Sequence, residues 1–297
     1  MRLMLLGQQG QVGWELQRSL APLGAIMGLD RHSSPDCGDL SRPEDVAETV
    51  YKYKPDVVVN AAAYTAVDQA ESDVDAARII NSKAPTILAQ ACHATGALLV
   101  HYSTDYVFDG SGCEPRTEGA TTGPLNVYGH TKLEGEQGIL ESGCRHLIFR
   151  TSWVYGTRGG NFAKTMLRLA KERSQLSVID DQVGAPTGAD LIADVTAHAI
   201  RSVATQESRL GLYHLVASGE TTWYQYAQFV IESAMRTHPD AGWRVEELIP
   251  VASDAWPAAA KRPLNSRLDT QQLQKAFGLS LPDWQVGVSR LLNEILE

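Results

Sequence analysis

Tyr128 and Lys132 stand four residues apart in PLNVYGHTKLEGEQ, where Pro124 and Asn126 suit the start of a helix. On a helix that spacing puts both side chains on one face, one turn apart. A free phenol ionises near pH ~10, and a neighbouring ammonium stabilises the anion, so the pair is suited to moving a proton nearer neutral pH. A lone Tyr-x-x-x-Lys is also a common surface pair. Thr104 favours the chemical reading, because Ser103, Thr104 and Asp105 bring two hydroxyls and a carboxylate to one place earlier in the chain.

A second group of residues has the pattern of a phosphate cradle. Gly7, Gly10 and Gly13 form GQQGQVG, directly after a short apolar run and at the start of a helical stretch. There the glycines permit a tight turn, close approach of the backbone to a pyrophosphate and close helix packing, while the helix N-terminus favours an anion. Asp30 ends the next apolar run, where an acid accepts hydrogen bonds from an adenosine ribose; Arg31 beside it suits a ribose phosphate instead. The alternative is a solvated charge pair in a loop. Ala61, Ala62 and Ala63, followed by Tyr64 and Thr65, are small enough for a cofactor to lie against the backbone, although the alanines also suit plain helix packing.

These groups need a scaffold that gathers them. Short β-branched runs (RLMLLG, AIMGLD, DVVVN) alternate with helical stretches at Val12 to Leu20 and Glu44 to Lys52, a βαβαβ rhythm that predicts an α/β fold. Further strands are expected at Ala97 to Ser103 and His146 to Thr151. The whole is a Rossmann-type doubly wound parallel sheet that binds ligand at the carboxyl edge of its strands. Residues 1–150 are read as the nucleotide-binding domain. Residues 151–297 form mostly a smaller C-terminal substrate-binding lobe, with some segments returning to the first domain. Helices are expected there at Phe162 to Arg173, Leu191 to Val203, Trp223 to Met235 and Val288 to Leu296, with loops at Gly156 to Gly160, Gly184 to Gly188 and Trp256 to Pro263.

Composition narrows the class. Hydrophobic residues at 43% and charged residues at 21% match ordinary globular chains and exclude disorder. A formal net charge of -9 argues against a nucleic-acid partner, since phosphate-reading proteins carry a basic surplus. The opening MRLMLLGQQG does not read as a secretory signal, and no apolar run is long enough to span a bilayer. Cys37, Cys92, Cys113 and Cys144 form no CxxC pair and read as reduced core thiols, which points to the cytoplasm. The eight histidines show no HxxxH or HExxH spacing, so no histidine metal site is expected.

Together GQQGQVG, NAAAYT, STDYVFDG, NVYGHTKLEGE and RTSWVYG resemble the extended short-chain dehydrogenase/reductases. Within them the chain is similar, over nearly its full length, to the dTDP-4-dehydrorhamnose reductase family; NFAKTMLRLAKE, DDQVGAPTGADLIAD, GLYHLVASGETTWYQYA and RPLNSRLDT also fit it. The resemblance implies an oxidoreductase that uses NADPH or NADH to reduce the 4-keto group of dTDP-6-deoxy-L-lyxo-4-hexulose to dTDP-L-rhamnose. That is the last step of dTDP-rhamnose biosynthesis, and the sugar serves lipopolysaccharide O-antigen or another envelope glycan. It implies that Tyr128 donates the proton, that Lys132 binds the nicotinamide ribose and lowers the pKa of Tyr128, and that Thr104 hydrogen-bonds the reacting oxygen. Asp105 and Trp153 match positions that hold the sugar nucleotide, while Gln11, Val12, Asp39 and Leu40 join the cofactor's surroundings. Trp153 also reads as a core aromatic. Some relatives form homodimers bridged by Mg2+ through carboxylates, and Glu15, Asp190 and Glu294 stand at roughly matching places; three acids far apart also read as solvated acids.

Related sugar-nucleotide dehydratases place Thr-Asp-Glu where this chain has Thr104, Asp105 and Tyr106, so reduction is favoured over elimination. Epimerisation needs little beyond Tyr128, Lys132 and a retained cofactor, and it stays open. A non-catalytic nucleotide-binding regulatory subunit is a further alternative, disfavoured by the presence of Tyr128, Lys132 and Thr104 together.

Overall fold

The computed structural model describes residues 1–255 and 258–296. In the first half β1 (Arg2–Leu6) leads into α1 (Gln11–Leu20), β2 (Ala25–Leu29) into α2 (Pro43–Tyr53), and β3 (Val57–Asn60) into α3 (Val67–Ala70), α4 (Val74–Arg78) and α5 (Ala84–Thr95). A π-helical segment, Ile79–Lys83, joins α4 to α5. β4 (Leu98–Thr104), α6 (Val127–Glu141) and β5 (His146–Thr151) follow. The second half holds β6 (Val154–Tyr155), α7 (Phe162–Glu172), β7 (Gln175–Ile179), β8 (Val183–Gly184), β9 (Thr187–Gly188) and α8 (Ala189–Val203). It continues with β10 (Gly211–His214), β11 (Thr221–Thr222), α9 (Trp223–Thr237), β12 (Glu247–Val251), α10 (Gln271–Phe277) and α11 (Trp284–Leu296).

Six strands form one parallel sheet in the order β2-β1-β3-β4-β5-β10. Helices cover both faces, so the strands read as unbroken apolar runs rather than alternating ones; every residue of β3 is buried. The pleat divides the side chains between two cores. Leu3 and Leu5 pack with Leu16 and Leu20 of α1, Ile192 of α8 and Phe277 of α10, whereas Met4 and Leu6 face Val46 and Val50 of α2 and Leu88 of α5. Each fully buried leucine contributes roughly 1.5–3 kcal/mol. The chain departs from β1 in both directions, to β2 on one side and β3 on the other. That reversal opens a crevice beyond the carboxyl ends of β1 and β3, the place where such sheets bind ligands.

A third core, with Met166, Leu167, Tyr226, Val230, Trp284 and Val288, holds α7, α9 and α11 together beside the parallel pair β7 and β12. Other parts of the second half rejoin the main sheet: β10 pairs with β5, and α8 packs in the same core as α1. The sequence reading does not contain β10, whose four residues (GLYH) carry too little pattern to stand apart from a loop. The segment Gly184 to Gly188, expected as a loop, contains β8 and β9, two-residue strands made by pairing with β11 and β6. Of the expected loop Trp256 to Pro263, Trp256 and Pro257 lie outside the described residues. All four cysteines are free; Cys92 and Cys144 are buried, but Cys113 is exposed and is not a core thiol. Among the described residues no helix is long and apolar enough to cross a membrane.

Candidate active site

The turn between β1 and α1 depends on its glycines. Gly7 has φ +82°, and a Cβ there would lie 2.8 Å from the Ala62 backbone nitrogen, so β1 and the alanine segment touch backbone to backbone. A Cβ on Gly13 would lie 2.0 Å from the Gly7 carbonyl oxygen, which identifies Gly13 as the packing glycine. Gly10 is the N-cap of α1, and among the described residues no side chain caps it. The first-turn amides of α1 therefore keep their affinity for an anion.

A cavity of about 460 Å³ opens at this turn. Gly7, Gly10, Gln11 and Val12 line it from the turn and α1; Asp30, Arg31, Asp39 and Leu40 line it beyond β2; Ala61, Ala62, Ala63 and Thr65 line it after β3. Tyr128 and Lys132 line it from α6. The structure thus gathers every residue expected at the cofactor except Gly13, which lies behind the turn. Asp30 is oriented by the His32 amide, which donates to its Oδ1 at 2.8 Å, while Arg31 is exposed. Gln9, Gly38, Ile80 and Val154 also line the cavity and had no distinguishing signal. Ile80 comes from the π-helical segment, which reads in sequence as ordinary helix.

α6 begins where expected: Asn126 Oδ1 accepts from the Gly129 amide at 2.8 Å, closing the helix start just ahead of Tyr128. Tyr128, Lys132 and Glu136 recur at intervals of four on this helix. Glu136 makes a two-point ion pair with Arg150 of β5, at 2.9 and 2.6 Å, both groups almost completely buried. Lys132 is 2% exposed; it donates to the Tyr102 carbonyl at 2.6 Å and lies 3.2 Å from His101 Nε2.

The expected depression of the Tyr128 pKa is not what the structure produces. Burial pushes the phenol up to about 12, opposed by the Thr104 hydroxyl and reinforced by the Asp105 charge. Burial also brings Lys132 down to about 8, against the pull of Glu136. Desolvation dominates at both residues, so Tyr128 holds its proton at neutral pH.

The carboxyl ends of β4 and β5 carry a cluster of buried polar atoms without a hydrogen-bond partner among the described residues: Ser103 Oγ, Asp105 Oδ2, Thr151 Oγ1 and Ser152 Oγ. Native proteins leave few such atoms orphaned, and a cluster marks a place where a polar ligand completes the bonding. Thr104 Oγ1 donates to Asp105 Oδ1 at 3.0 Å, and burial raises Asp105 to about 6. Thr151 and Ser152 were not singled out in the sequence, although they sit inside RTSWVYG. Tyr106 packs edge-on against Tyr128, with ring centroids 5.6 Å apart. Trp153 follows the cluster with φ 48°, a left-handed conformation unusual for tryptophan, and stacks on Trp223 at 3.7 Å. It lies outside the wall of the cavity at the glycine turn.

Glu15, Asp190 and Glu294 do converge, on one small pocket, but Arg290 lies among them. Its guanidinium pairs with Asp190 at 3.2 Å and with Glu294 at 3.0 Å. The three acids expected at Mg2+ thus share one pocket; in this single chain Arg290 bridges two of them, and among the described residues no group of three His, Cys, Asp or Glu side chains is arranged to hold a metal.

Residues 1–297 match the family described as RmlD substrate binding domain. A dTDP-4-dehydrorhamnose reductase of Shigella flexneri is 57% identical over 295 residues, covering 99% of this chain and 98% of that protein. The chain belongs to the dTDP-4-dehydrorhamnose reductase family. Among solved structures, the reductase of Clostridium acetobutylicum matches with a TM-score of 0.89 and 33% identity, each chain covered completely. The Bacillus anthracis reductase, solved in complex with NADP, matches with a TM-score of 0.86 and 34% identity over 99% of both chains. Family membership agrees with the doubly wound sheet and with a cavity at its switch point lined by the glycine turn.

Proposed function

We propose that this protein is an NAD(P)H-dependent oxidoreductase that reduces the 4-keto group of dTDP-6-deoxy-L-lyxo-4-hexulose, giving dTDP-L-rhamnose as the last step of dTDP-rhamnose biosynthesis. The observation that carries this reading is that Tyr128 and Lys132 face the same cavity as the Gly7 and Gly10 turn, beside the orphaned polar atoms of β4 and β5. Residues 1–150 supply the cofactor site, and the mostly separate lobe of 151–297 supplies much of the substrate's surroundings. The family reading also supports a cytoplasmic enzyme and a homodimer.

NAD(P)H fits the cavity: the glycine turn admits a pyrophosphate at backbone distance, and the alanines after β3 leave room for the ring system. When bound it supplies the hydride. Tyr128, still protonated at neutral pH, gives its proton to the carbonyl oxygen as the C–H bond forms, so the ketone becomes an alcohol and the phenol a phenolate. Thr104 donates a hydrogen bond to the same oxygen and limits its charge. Lys132 holds the nicotinamide ribose, while Asp105 and Trp153 orient the sugar nucleotide. Asp30 and Arg31 face the adenosine ribose.

Oxidation of NADPH by the purified protein with this substrate, run beside its GDP- and UDP-linked analogues, tests the reading. Turnover confined to the dTDP sugar is the expected result. No turnover with any of the three, in folded protein that binds cofactor, defeats it.

A further inference from the structure

We infer that Glu136 and Arg150 are positioning residues for the proton donor: their buried two-point ion pair sets where α6 sits along the end of β5, and so where Tyr128 stands relative to Thr151 and Ser152. The inference rests on the reading of Tyr128 as the residue that gives its proton to the substrate.

Apolar packing does little to fix α6 along its axis. Among the described residues, α6 buries Gly129, Thr131, Lys132, Gly135, Glu136 and Ile139, and Ile139 is the only large apolar side chain of the set. The helix meets its neighbours over bare backbone. A Cβ on Gly135 would lie 2.2 Å from the Asn81 carbonyl oxygen, and one on Gly138 would lie 2.0 Å from the Thr86 hydroxyl. Such contacts allow close approach but offer no side chains that interlock as ridges and grooves, and dispersion attraction has no preferred direction. The register of α6 therefore depends on a directional contact.

The ion pair has that character. Glu136 stands one turn beyond Lys132 and two beyond Tyr128 on the same face. Arg150 Nε and Nη2 donate to Glu136 Oε1 and Oε2 at 2.9 and 2.6 Å, two parallel bonds that define an angle as well as a distance. The guanidinium is itself held. Its backbone lies between β4 and β10, opposite Ser103 and His214; Nη1 donates to the Glu118 carbonyl at 3.4 Å, and the group lies 5.0 Å from the centroid of the Phe108 ring. The next two residues are Thr151 and Ser152, whose hydroxyls have no partner among the described residues. The pair thus ties the helix of the proton donor to the strand end that offers hydroxyls to a ligand. Stability alone gives no reason to keep it, since burying two charges costs desolvation that well-packed apolar side chains avoid.

The test is single-turnover oxidation of NADPH by the full-length protein with dTDP-6-deoxy-L-lyxo-4-hexulose, read as a rate constant and an amplitude. Arg150→Lys keeps a positive charge opposite Glu136 but replaces the planar fork by one ammonium, so the charges around Lys132 are retained while the direction is lost. Its rate constant at saturating substrate is expected to fall about 10- to 100-fold, as a misplacement of ~1 Å does, with the amplitude unchanged. A merely structural role does the opposite: a partly unfolded population lowers the amplitude and leaves the rate constant native. Glu136→Leu combined with Arg150→Met removes both charges and guards against a variant that does not fold; its thermal midpoint is expected at or above the native one, and its rate constant is expected to fall too. A native rate constant in either folded variant overturns the inference, and so does a loss of amplitude alone. Failure of both variants to fold also overturns it, because the pair would then serve the fold and not the alignment. Tyr128→Phe tests the donor reading apart from this: a native rate constant there defeats that reading whatever Arg150→Lys does.

Discussion

Tyr128 is the residue on which catalysis should depend most. Its replacement by phenylalanine removes one oxygen from a buried site and leaves the cofactor cavity intact, so Tyr128→Phe is expected to fold and bind NADPH with ordinary affinity. Its rate of hydride transfer should fall ~10²- to 10⁴-fold, the usual contribution of a positioned acid. Single-turnover oxidation of NADPH measures this, and a native rate would remove Tyr128 from the mechanism. Cofactor choice is expected to depend on Asp30 and Arg31, which line the same cavity and whose charges favour opposite ribose groups. Asp30 is held by the His32 amide and suits ribose hydroxyls, while exposed Arg31, whose Nε donates to His32 Nε2 at 3.3 Å, suits a ribose phosphate. Arg31→Ala should lower kcat/KM for NADPH more than for NADH, and Asp30→Ala should do the reverse. Equal effects on both cofactors in each variant would show that selection lies elsewhere.

At the scale of elements, α6 is the part that must be placed accurately, because Tyr128, Lys132 and Glu136 all project from it. Its start is tied at two points: Asn126 caps the helix through the Gly129 amide and donates to the Lys261 carbonyl, each at 2.8 Å. Asn126→Ala is expected to lower stability by about 0.5–2 kcal/mol, as lost N-caps do, and to reduce turnover through Tyr128 two residues on. Asn126→Asp keeps the capping oxygen and loses the donor, so it should recover most of the stability. Urea denaturation of both variants measures the difference; equal losses would place the effect in the Lys261 contact instead of the cap. α1 was legible for a related local reason, since Gly7 and Gly13 answer steric demands at the turn that any sequence with this backbone must meet.

For the molecule as a whole, buried histidines set how stability responds to acid. Burial lowers His214 to about 3 from 6.5 and His101 well below 6.5, so the unfolded chain binds protons that the folded one refuses. Stability from these residues is complete above pH 6.5 and is lost as pH falls through the window toward 3. Asp105 opposes them: raised from 3.8 to about 6, it takes up a proton in the fold first and gains stability over that narrower window as pH falls. Glu118, also raised by burial, acts in the same sense as Asp105, but both histidines begin to lose stability at higher pH than these carboxyls gain it, which predicts a lower urea midpoint at pH 5 than at pH 7.5. His214→Phe should show a shallower decline, since His214 already packs edge-on against Phe108 and an aromatic ring preserves that contact. An unchanged slope in the variant would show that His214 does not contribute.

The sequence by itself determined the alternating α/β architecture, the glycine turn and the Tyr128 and Lys132 face of α6. All three are local: strands buried on both faces leave unbroken apolar runs, a positive φ demands glycine, and a four-residue interval defines a helix face. Only the tertiary structure decided the rest. β10 becomes the sixth strand because β5, far earlier in the chain, offers it a ladder. Glu15, Asp190 and Glu294 meet Arg290 in one pocket because the helices α1, α8 and α11 converge there. The proton affinity of Tyr128 rises rather than falls because desolvation, unlike spacing, is a property of everything packed around a group.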